Sequence, residues 1–80
     1  MITVQVKLFA TLRRQYPELG VGERMPVELS DDTTVEQLVE KLDLPDEQVK
    51  IVFVNGLVQK EGHRLSDGDE VGLFPPVGGG

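Results

Sequence analysis

The residues best suited to chemistry lie at the end of the sequence, in the segment Phe74-Pro75-Pro76-Val77-Gly78-Gly79-Gly80. Because glycine has no side chain, the last three residues present the carboxylate of Gly80 on a thin stem that can enter a narrow tunnel. A carboxylate is a poor electrophile until it is converted to a mixed anhydride, as adenylation by ATP does. We predict that the carboxylate of Gly80 is the reactive group and that Gly79 keeps the approach to its acyl carbon open.

The residues before the final glycines indicate how this tail meets another protein. Prolines limit the entropy that is lost when a flexible segment becomes ordered, and apolar side chains can fill pockets on a partner. Packing inside the core is the alternative explanation for Phe74 taken alone. We predict that the partner contacts Phe74, Pro75, Pro76, Val77 and Gly78.

The sequence lacks the motifs of a site that would activate this carboxylate. It has no Walker-type glycine loop, and Gly20-Val21-Gly22 has neither the spacing nor the strand-to-helix setting of a dinucleotide site. We therefore expect this chain to bind no cofactor and a separate activating enzyme to bind the ATP.

Other reactive side chains are few. The chain has no cysteine, which excludes a disulfide framework or a persulfide on its own side chains. His63 is the only histidine, and we interpret it as an exposed loop residue. The acidic segment Asp67-Gly68-Asp69-Glu70 lacks the spacing of a calcium loop, so we interpret it as a turn. We predict no metal site.

Composition restricts the possible partners. The 80 residues carry 14 acidic against 8 basic side chains, a net charge of -6 that disfavours nucleic acid and anionic membranes and favours a basic protein surface. The start of the sequence resembles neither a signal peptide nor a membrane span, so we expect a cytoplasmic protein. Its length predicts a single domain over residues 1–80.

The pattern of apolar residues predicts a mixed α/β order. Alternation predicts a strand from Ile2 to Phe9, and good helix formers predict a short helix from Ala10 to Tyr16. A second strand follows over Met25 to Leu29, and Pro26 within it favours the edge of a sheet. The segment from Thr33 to Leu42 has one apolar face and a capping box that either of its two threonines could form, so it predicts the main helix.

The second half of the sequence predicts three strands. Ile51 to Val54 and the return over Leu57 and Val58 flank Asn55-Gly56, the dipeptide typical of a tight hairpin. A polar turn then leads into a last strand, Val71 to Phe74. This order predicts an α+β fold with a mixed sheet of about four to five strands and one main helix packed on one face.

These features together resemble the MoaD/ThiS family of ubiquitin-like sulfur carriers, whose type member is the small subunit of molybdopterin synthase. Three stretches carry the resemblance: Leu8-Phe9-Ala10-Thr11-Leu12-Arg13, Leu65-Ser66-Asp67-Gly68-Asp69-Glu70-Val71, and the tail from Phe74 to Gly80. The resemblance implies a β-grasp, or ubiquitin-like, fold in which the first and last strands are parallel neighbours at the centre of the sheet. Residues 75–80 are then a flexible diglycine tail that follows the central strand.

The resemblance also implies a function. An activating enzyme adenylates Gly80, and a sulfur donor protein converts the acyl-adenylate to a thiocarboxylate. The chain then donates this sulfur in molybdopterin biosynthesis, docked to the larger catalytic subunit of a molybdopterin synthase. The chain alone is a carrier and not an enzyme.

Three alternatives remain open at this point. The activated Gly80 also suits a ubiquitin-like modifier that forms isopeptide bonds with lysines. The same carrier chemistry serves other pathways, such as thiamin or cysteine synthesis. A binding module that merely retains the fold is the third possibility, and it predicts that no activating enzyme accepts the C-terminus.

Overall fold

The computed structural model describes residues 1–20 and 22–76. Within these residues the chain forms one mixed five-stranded sheet of β1 (Ile2–Leu8), β2 (Met25–Leu29), β3 (Ile51–Val54), β4 (Leu57–Gln59) and β5 (Glu70–Phe74). The strand order across the sheet is β2, β1, β5, β3, β4. β1 and β5 are parallel, and the other neighbouring pairs are antiparallel. The first and last strands therefore lie side by side at the centre, as the resemblance implied.

Three helical segments complete the described part of the chain: α1 (Val35–Lys41) and two 3₁₀ helices, Ala10–Gln15 and Asp46–Gln48. Of the two threonines that could begin α1, Thr34 forms the capping box. Its hydroxyl accepts the Gln37 N–H at 3.3 Å, and its own N–H donates to Gln37 Oε1 at 2.9 Å. These bonds pair backbone donors that a helix start otherwise leaves open.

The loop before β5 satisfies the remaining donors in the first turn of α1. The Val35 N–H donates to the carbonyl of His63, and the Glu36 N–H donates to the carbonyl of Glu61, both at 3.0 Å. Thr33 is not part of the cap, because its hydroxyl donates to the carbonyl of Ser30 at 2.6 Å. The start of α1 is thus fixed by its own capping box and by the loop over residues 61–63.

The core lies between one face of the sheet and the apolar side of α1. Every second side chain of the central strands points into it, which is the alternation that the sequence predicted. Leu73 and Val4 are 0% exposed. The helix contributes Val35, Leu38 and Val39, and Leu42 follows at its end. The strands contribute Val4, Val6, Leu8, Val27, Leu29, Val52, Val54, Val71 and Leu73.

β2 occupies the edge position that Pro26 predicted. Pro26 is exposed and lies opposite Gln5 in the antiparallel pairing of β2 with β1. Since proline has no N–H, an edge strand accepts it without losing a bond to a second neighbour.

Five predicted elements differ in detail from the structure. Three differ only at their ends, since β1 ends at Leu8, α1 spans Val35–Lys41 and β4 extends to Gln59. The helix expected from Ala10 to Tyr16 is a 3₁₀ helix that ends at Gln15. The last strand begins at Glu70 rather than Val71, because the backbone of Asn55 pairs with Glu70: the Asn55 N–H donates to the carbonyl of Glu70 at 2.8 Å. We did not predict the short 3₁₀ helix Asp46–Gln48 from the sequence.

Across residues 1–20 and 22–76, no helix has both the length and the apolar character that crossing a membrane requires.

Candidate functional site

The tail leaves the sheet from its central strand, at a point held on both sides. The Phe9 N–H donates to the carbonyl of Leu73 at 3.2 Å, and the Lys50 N–H donates to the carbonyl of Phe74 at 2.9 Å. Pro75 is half-buried and Pro76 is exposed. The backbone is therefore fixed up to Phe74, so the residues that follow start from a defined position.

Phe74 points to the face of the sheet that α1 does not cover, which we call the open face. Strand register places alternate residues of each strand on this face. Phe53 lies opposite Gly72 there, and Ile51 lies opposite Phe74. The strands contribute Thr3, Gln5, Lys7, Pro26, Glu28, Ile51, Phe53, Val58, Glu70, Gly72 and Phe74 to the open face.

Three phenylalanines form a cluster at the tail end of the open face. The rings of Phe9 and Phe74 are stacked, with centroids 4.1 Å apart and planes 4° apart. Phe53 meets Phe74 edge-on, with centroids 5.4 Å apart. All three are only half-buried. We call Phe9, Phe53 and Phe74 the aromatic cluster.

Gly72 lies beneath these rings. Its backbone does not have the left-handed φ that favours glycine. A Cβ built on it would lie 3.3 Å from Cε2 of Phe9 and 3.6 Å from Cε1 of Phe74. Glycine in the interior of a strand lowers stability, and its presence often marks a place where another group approaches closely. The absence of a side chain at Gly72 therefore allows the rings of Phe9 and Phe74 to pack directly against the backbone of β5.

The aromatic cluster lines a shallow cavity of about 420 Å³ on the open face. Its other lining residues include Lys7, Gly56 and Glu70. The Glu70 carboxylate lies 3.8 Å from Lys7 Nζ and 3.5 Å from Arg24 Nη2. These side chains are 31 to 54% exposed, so their ion pairs contribute little to stability and remain available to a partner. The cavity thus combines apolar walls with a charged rim.

Residues 6–80 match the model of the ThiS family. The chain belongs to the ThiS family. Its fold is the ubiquitin-like β-grasp fold, which the mixed sheet and main helix show independently.

Solved structures of similar proteins span nearly the same length. Small archaeal modifier protein 1 of Haloferax volcanii is 26% identical, with a TM-score of 0.76 over 96% of this chain and 100% of that one. A Pyrococcus furiosus protein described as subunit 1 of molybdopterin converting factor is 28% identical, with a TM-score of 0.74 over 96% of this chain and 100% of that one.

A more distant match comes from Helicobacter pylori, in a complex of subunits 1 and 2 of molybdopterin-converting factor. It is 22% identical, with a TM-score of 0.62 over 99% of this chain and 100% of that one. At this identity the likeness shows the shared fold. No curated protein matches the chain.

The structure places part of the predicted site of this ThiS-family chain. Phe74 stands on the open face and not in the helix-side core, and Pro75 and Pro76 follow it. The other predicted site residues, Val77, Gly78, Gly79 and Gly80, lie outside the described residues.

Sequence reasoning missed the partners of Phe74. Phe9 directly follows β1 and Phe53 lies in β3, and only the pairing of these two strands with β5 brings both rings beside it. Gly72 gave the one usable signal, because a glycine inside an apolar strand is unfavourable unless something lies close to it.

The residues that we interpreted as structural have structural contacts. The carboxylate of Asp67 accepts the Thr3 N–H at 2.8 Å, and that of Asp69 accepts the Ser66 N–H at 2.8 Å. The carbonyl of His63 caps α1, as described above. Within residues 1–20 and 22–76 there is no group of three or more His, Cys, Asp or Glu side chains that could hold a metal ion.

Proposed function

We propose that this chain is a sulfur carrier of molybdopterin biosynthesis, acting as the small subunit of a molybdopterin synthase. The observation that carries the proposal is the Phe-Pro-Pro-Val-Gly-Gly-Gly tail, which follows the central strand of a ThiS-family β-grasp fold. The likeness to the Pyrococcus furiosus protein, described as subunit 1 of molybdopterin converting factor, supports this pathway and a second subunit as partner.

The chemistry takes place at Gly80 in two steps. An activating enzyme joins the Gly80 carboxylate to the α-phosphate of ATP and releases pyrophosphate. Hydrosulfide, delivered by a sulfur donor protein or free in solution, then attacks the acyl carbon and AMP leaves. With hydrosulfide the product is a thiocarboxylate and one proton is released. This chain binds no cofactor, since the ATP belongs to the partner, and the reaction takes place in the cytoplasm, where ATP is available.

Partner docking involves the open face as well as the tail. Phe74 belongs to both, because its ring is part of the aromatic cluster and its carbonyl carbon begins the tail. An enzyme that holds the cluster therefore fixes the start of Pro75, Pro76, Val77 and Gly78 and directs Gly79 and Gly80 toward its own site. Aromatic side chains that stay half-exposed are typical of contacts that carry binding energy. The net charge of -6 favours a partner with a basic surface.

The experiment is an intact-mass measurement after incubation with ATP, a sulfide source and the activating enzyme from the same host. We expect a mass gain equal to the exchange of one oxygen for sulfur, localised to Gly80, and no gain without ATP. An unchanged mass, with an enzyme that modifies its own established partner in parallel, contradicts the proposal.

Gly80→Ala and Gly79→Ala sharpen this experiment. Both residues lie beyond β5, so we expect the thermal unfolding midpoint to stay unchanged while thiocarboxylate formation falls strongly, because the new methyl group obstructs the acyl carbon. Gly62→Ala is the matched control, since a Cβ there meets nothing within 4 Å. Normal thiocarboxylate yield from both tail variants contradicts the role assigned to these glycines.

A second candidate is a protein modifier. The likeness to small archaeal modifier protein 1 of Haloferax volcanii favours it, and the same acyl-adenylate serves both reactions. In this case a lysine amine attacks Gly80 and AMP leaves, which gives an isopeptide bond. Lysine peptides that carry a branched glycine remnant of this chain support the modifier. Their absence from extracts in which the thiocarboxylate forms supports the carrier.

A further inference from the structure

The hairpin between β3 and β4 contains a chemically vulnerable dipeptide, Asn55-Gly56. Both residues have the left-handed backbone of a tight hairpin turn, with φ of 53° and 84°. Asparagine before glycine is prone to lose its amide, because the glycine N–H can reach the side-chain carbonyl carbon without obstruction from a Cβ. Asn55 is exposed to water and is the only asparagine of the chain.

Both polar atoms of the Asn55 side chain are nevertheless held by the start of β5. Its Nδ2 donates to Oδ1 of Asp69 at 2.9 Å, and its Oδ1 accepts the Glu70 N–H at 2.9 Å. The Asn55 backbone N–H also donates to the carbonyl of Glu70 at 2.8 Å. For the side-chain carbon to reach the Gly56 nitrogen, the two side-chain bonds have to open.

Asp69 is well placed to hold the Asn55 amide, and we call the hydrogen bond between the two side chains the Asp69 clamp. It is 9% exposed, and its second carboxylate oxygen accepts the Ser66 N–H at 2.8 Å. The Gln5 N–H donates to its backbone carbonyl at 2.8 Å, which ties the residue to β1. The acceptor for the Asn55 amide is thus anchored at both its side chain and its backbone.

We propose that Asn55 is a site of spontaneous deamidation and that the Asp69 clamp sets its rate. In the reaction, the deprotonated Gly56 nitrogen attacks Cγ of Asn55, and ammonia leaves with the transferred proton. The resulting succinimide takes up one water molecule at either carbonyl, which yields aspartate or isoaspartate. The net change is the exchange of an amide for a carboxylic acid, with water as the only co-reactant and no change in oxidation state.

The product no longer fits its position. A carboxylate at residue 55 faces the Asp69 carboxylate across the former hydrogen bond and has no donor to offer it, so like charges meet. Isoaspartate also adds a carbon to the backbone of the turn. Because Gly56 and Glu70 line the cavity of the open face, deamidation changes the surface beside the aromatic cluster.

The test follows the intact mass of the folded chain at mildly alkaline pH. We expect slow conversion of the unmodified chain and conversion about tenfold faster for Asp69→Ala, because a lost charge-assisted hydrogen bond raises the open population by about that factor. Peptide mapping should assign the new acid to residue 55. Isomerisation at Asp67-Gly68 leaves the mass unchanged and does not interfere.

Asp67→Ala is the matched control, since it removes a comparable bond from a carboxylate to a backbone N–H without touching Asn55. We expect it to convert at the unmodified rate. Equal rates for Asp69→Ala and the unmodified chain overturn the proposal, as does equal acceleration by both variants. Should Asp69→Ala fail to fold, the deamidation rate of the unmodified chain is measured in denaturing urea instead. A rate no faster than that of the native chain overturns the proposal that the fold protects Asn55.

Discussion

The two faces of the sheet differ in how completely the chain covers their apolar side chains. The helix-side face is built mainly from valine and leucine, and its central residues are fully buried against α1. The open face mixes charged residues with three half-exposed phenylalanines and a glycine. A small domain gains stability from every apolar side chain it buries, so apolar groups left half-covered on one face indicate a surface that serves another protein. The difference separates the residues that maintain the fold from those available for docking.

Adjacent residues of β5 test this separation directly, and the largest effect on stability is expected at Leu73. Leu73 points into the core and is 0% exposed. Leu73→Ala should lower the free energy of unfolding by about 2–5 kcal/mol, since it removes buried methyl groups and leaves a cavity. Urea denaturation measures this change. A loss no greater than that of Phe74→Ala contradicts the assignment of the two faces.

Phe74→Ala should have the reverse profile. The variant removes a stack and an edge contact on the open face, which are worth about 0.5–1.5 kcal/mol each. We expect a smaller loss of stability than for Leu73→Ala, but a loss of affinity for the activating enzyme of about 2 kcal/mol or more, as is typical of central aromatic contacts. Titration calorimetry with the folded variant checks this prediction. Unchanged affinity removes Phe74 from the docking surface.

Gly72→Ala probes the open face more finely. The added methyl group improves strand propensity, while its 3.3 Å approach to Phe9 forces the ring to move. We expect these effects to offset each other to within about 1 kcal/mol of stability. The displaced Phe9 ring should still weaken partner binding severalfold. Gly62→Ala again serves as control, and equal binding by both glycine variants shows that the ring positions do not matter.

The smallest effect concerns Tyr16, which packs against the helix-side core. Burial and then the charge of Asp43 raise the pKa of Tyr16 above its ordinary value of 10.0. Its hydroxyl donates to the carbonyl of Leu42 at 2.8 Å. Because the folded chain holds the phenol proton more tightly than the unfolded chain, the contribution of Tyr16 to stability is constant well below pH 10.0 and declines as pH rises beyond it. Tyr16→Phe should weaken this alkaline decline, and an identical decline in the variant contradicts the assignment.

The sequence was sufficient for the parts of the fold that local chemistry determines. Pro26 indicated an edge strand, Asn55-Gly56 indicated a hairpin, and the threonine pair before Val35 indicated the helix start. Each signal depends on residues a few positions apart. The choice of Thr34 over Thr33 needed the structure, because the carbonyl of Ser30 takes the Thr33 hydroxyl.

Long-range pairing explains what the sequence did not reveal about the site. The aromatic cluster exists because the register of β3 against β5 places Phe53 opposite Gly72, and because the Phe9 N–H bonds to the end of β5. No local pattern encodes that register. The carboxylate of Gly80, in contrast, could be singled out from the sequence without any long-range pairing, because its chemistry follows from glycine and the free acid alone. Its role remains a prediction.

The parallel pairing of β1 with β5 also bears on protein synthesis. The central pair joins residues made early to residues made 65 positions later, as Gln5 opposite Glu70 shows. A nascent chain that lacks β5 leaves β1 and β3 without their shared neighbour and the core without Leu73. Strand edges of this kind invite aggregation, so we expect the unfinished chain to be more prone to self-association than the folded one. The finished sheet and the residues that follow β5 are therefore completed together, so an enzyme that recognises the open face meets only chains in which β5 has already been made.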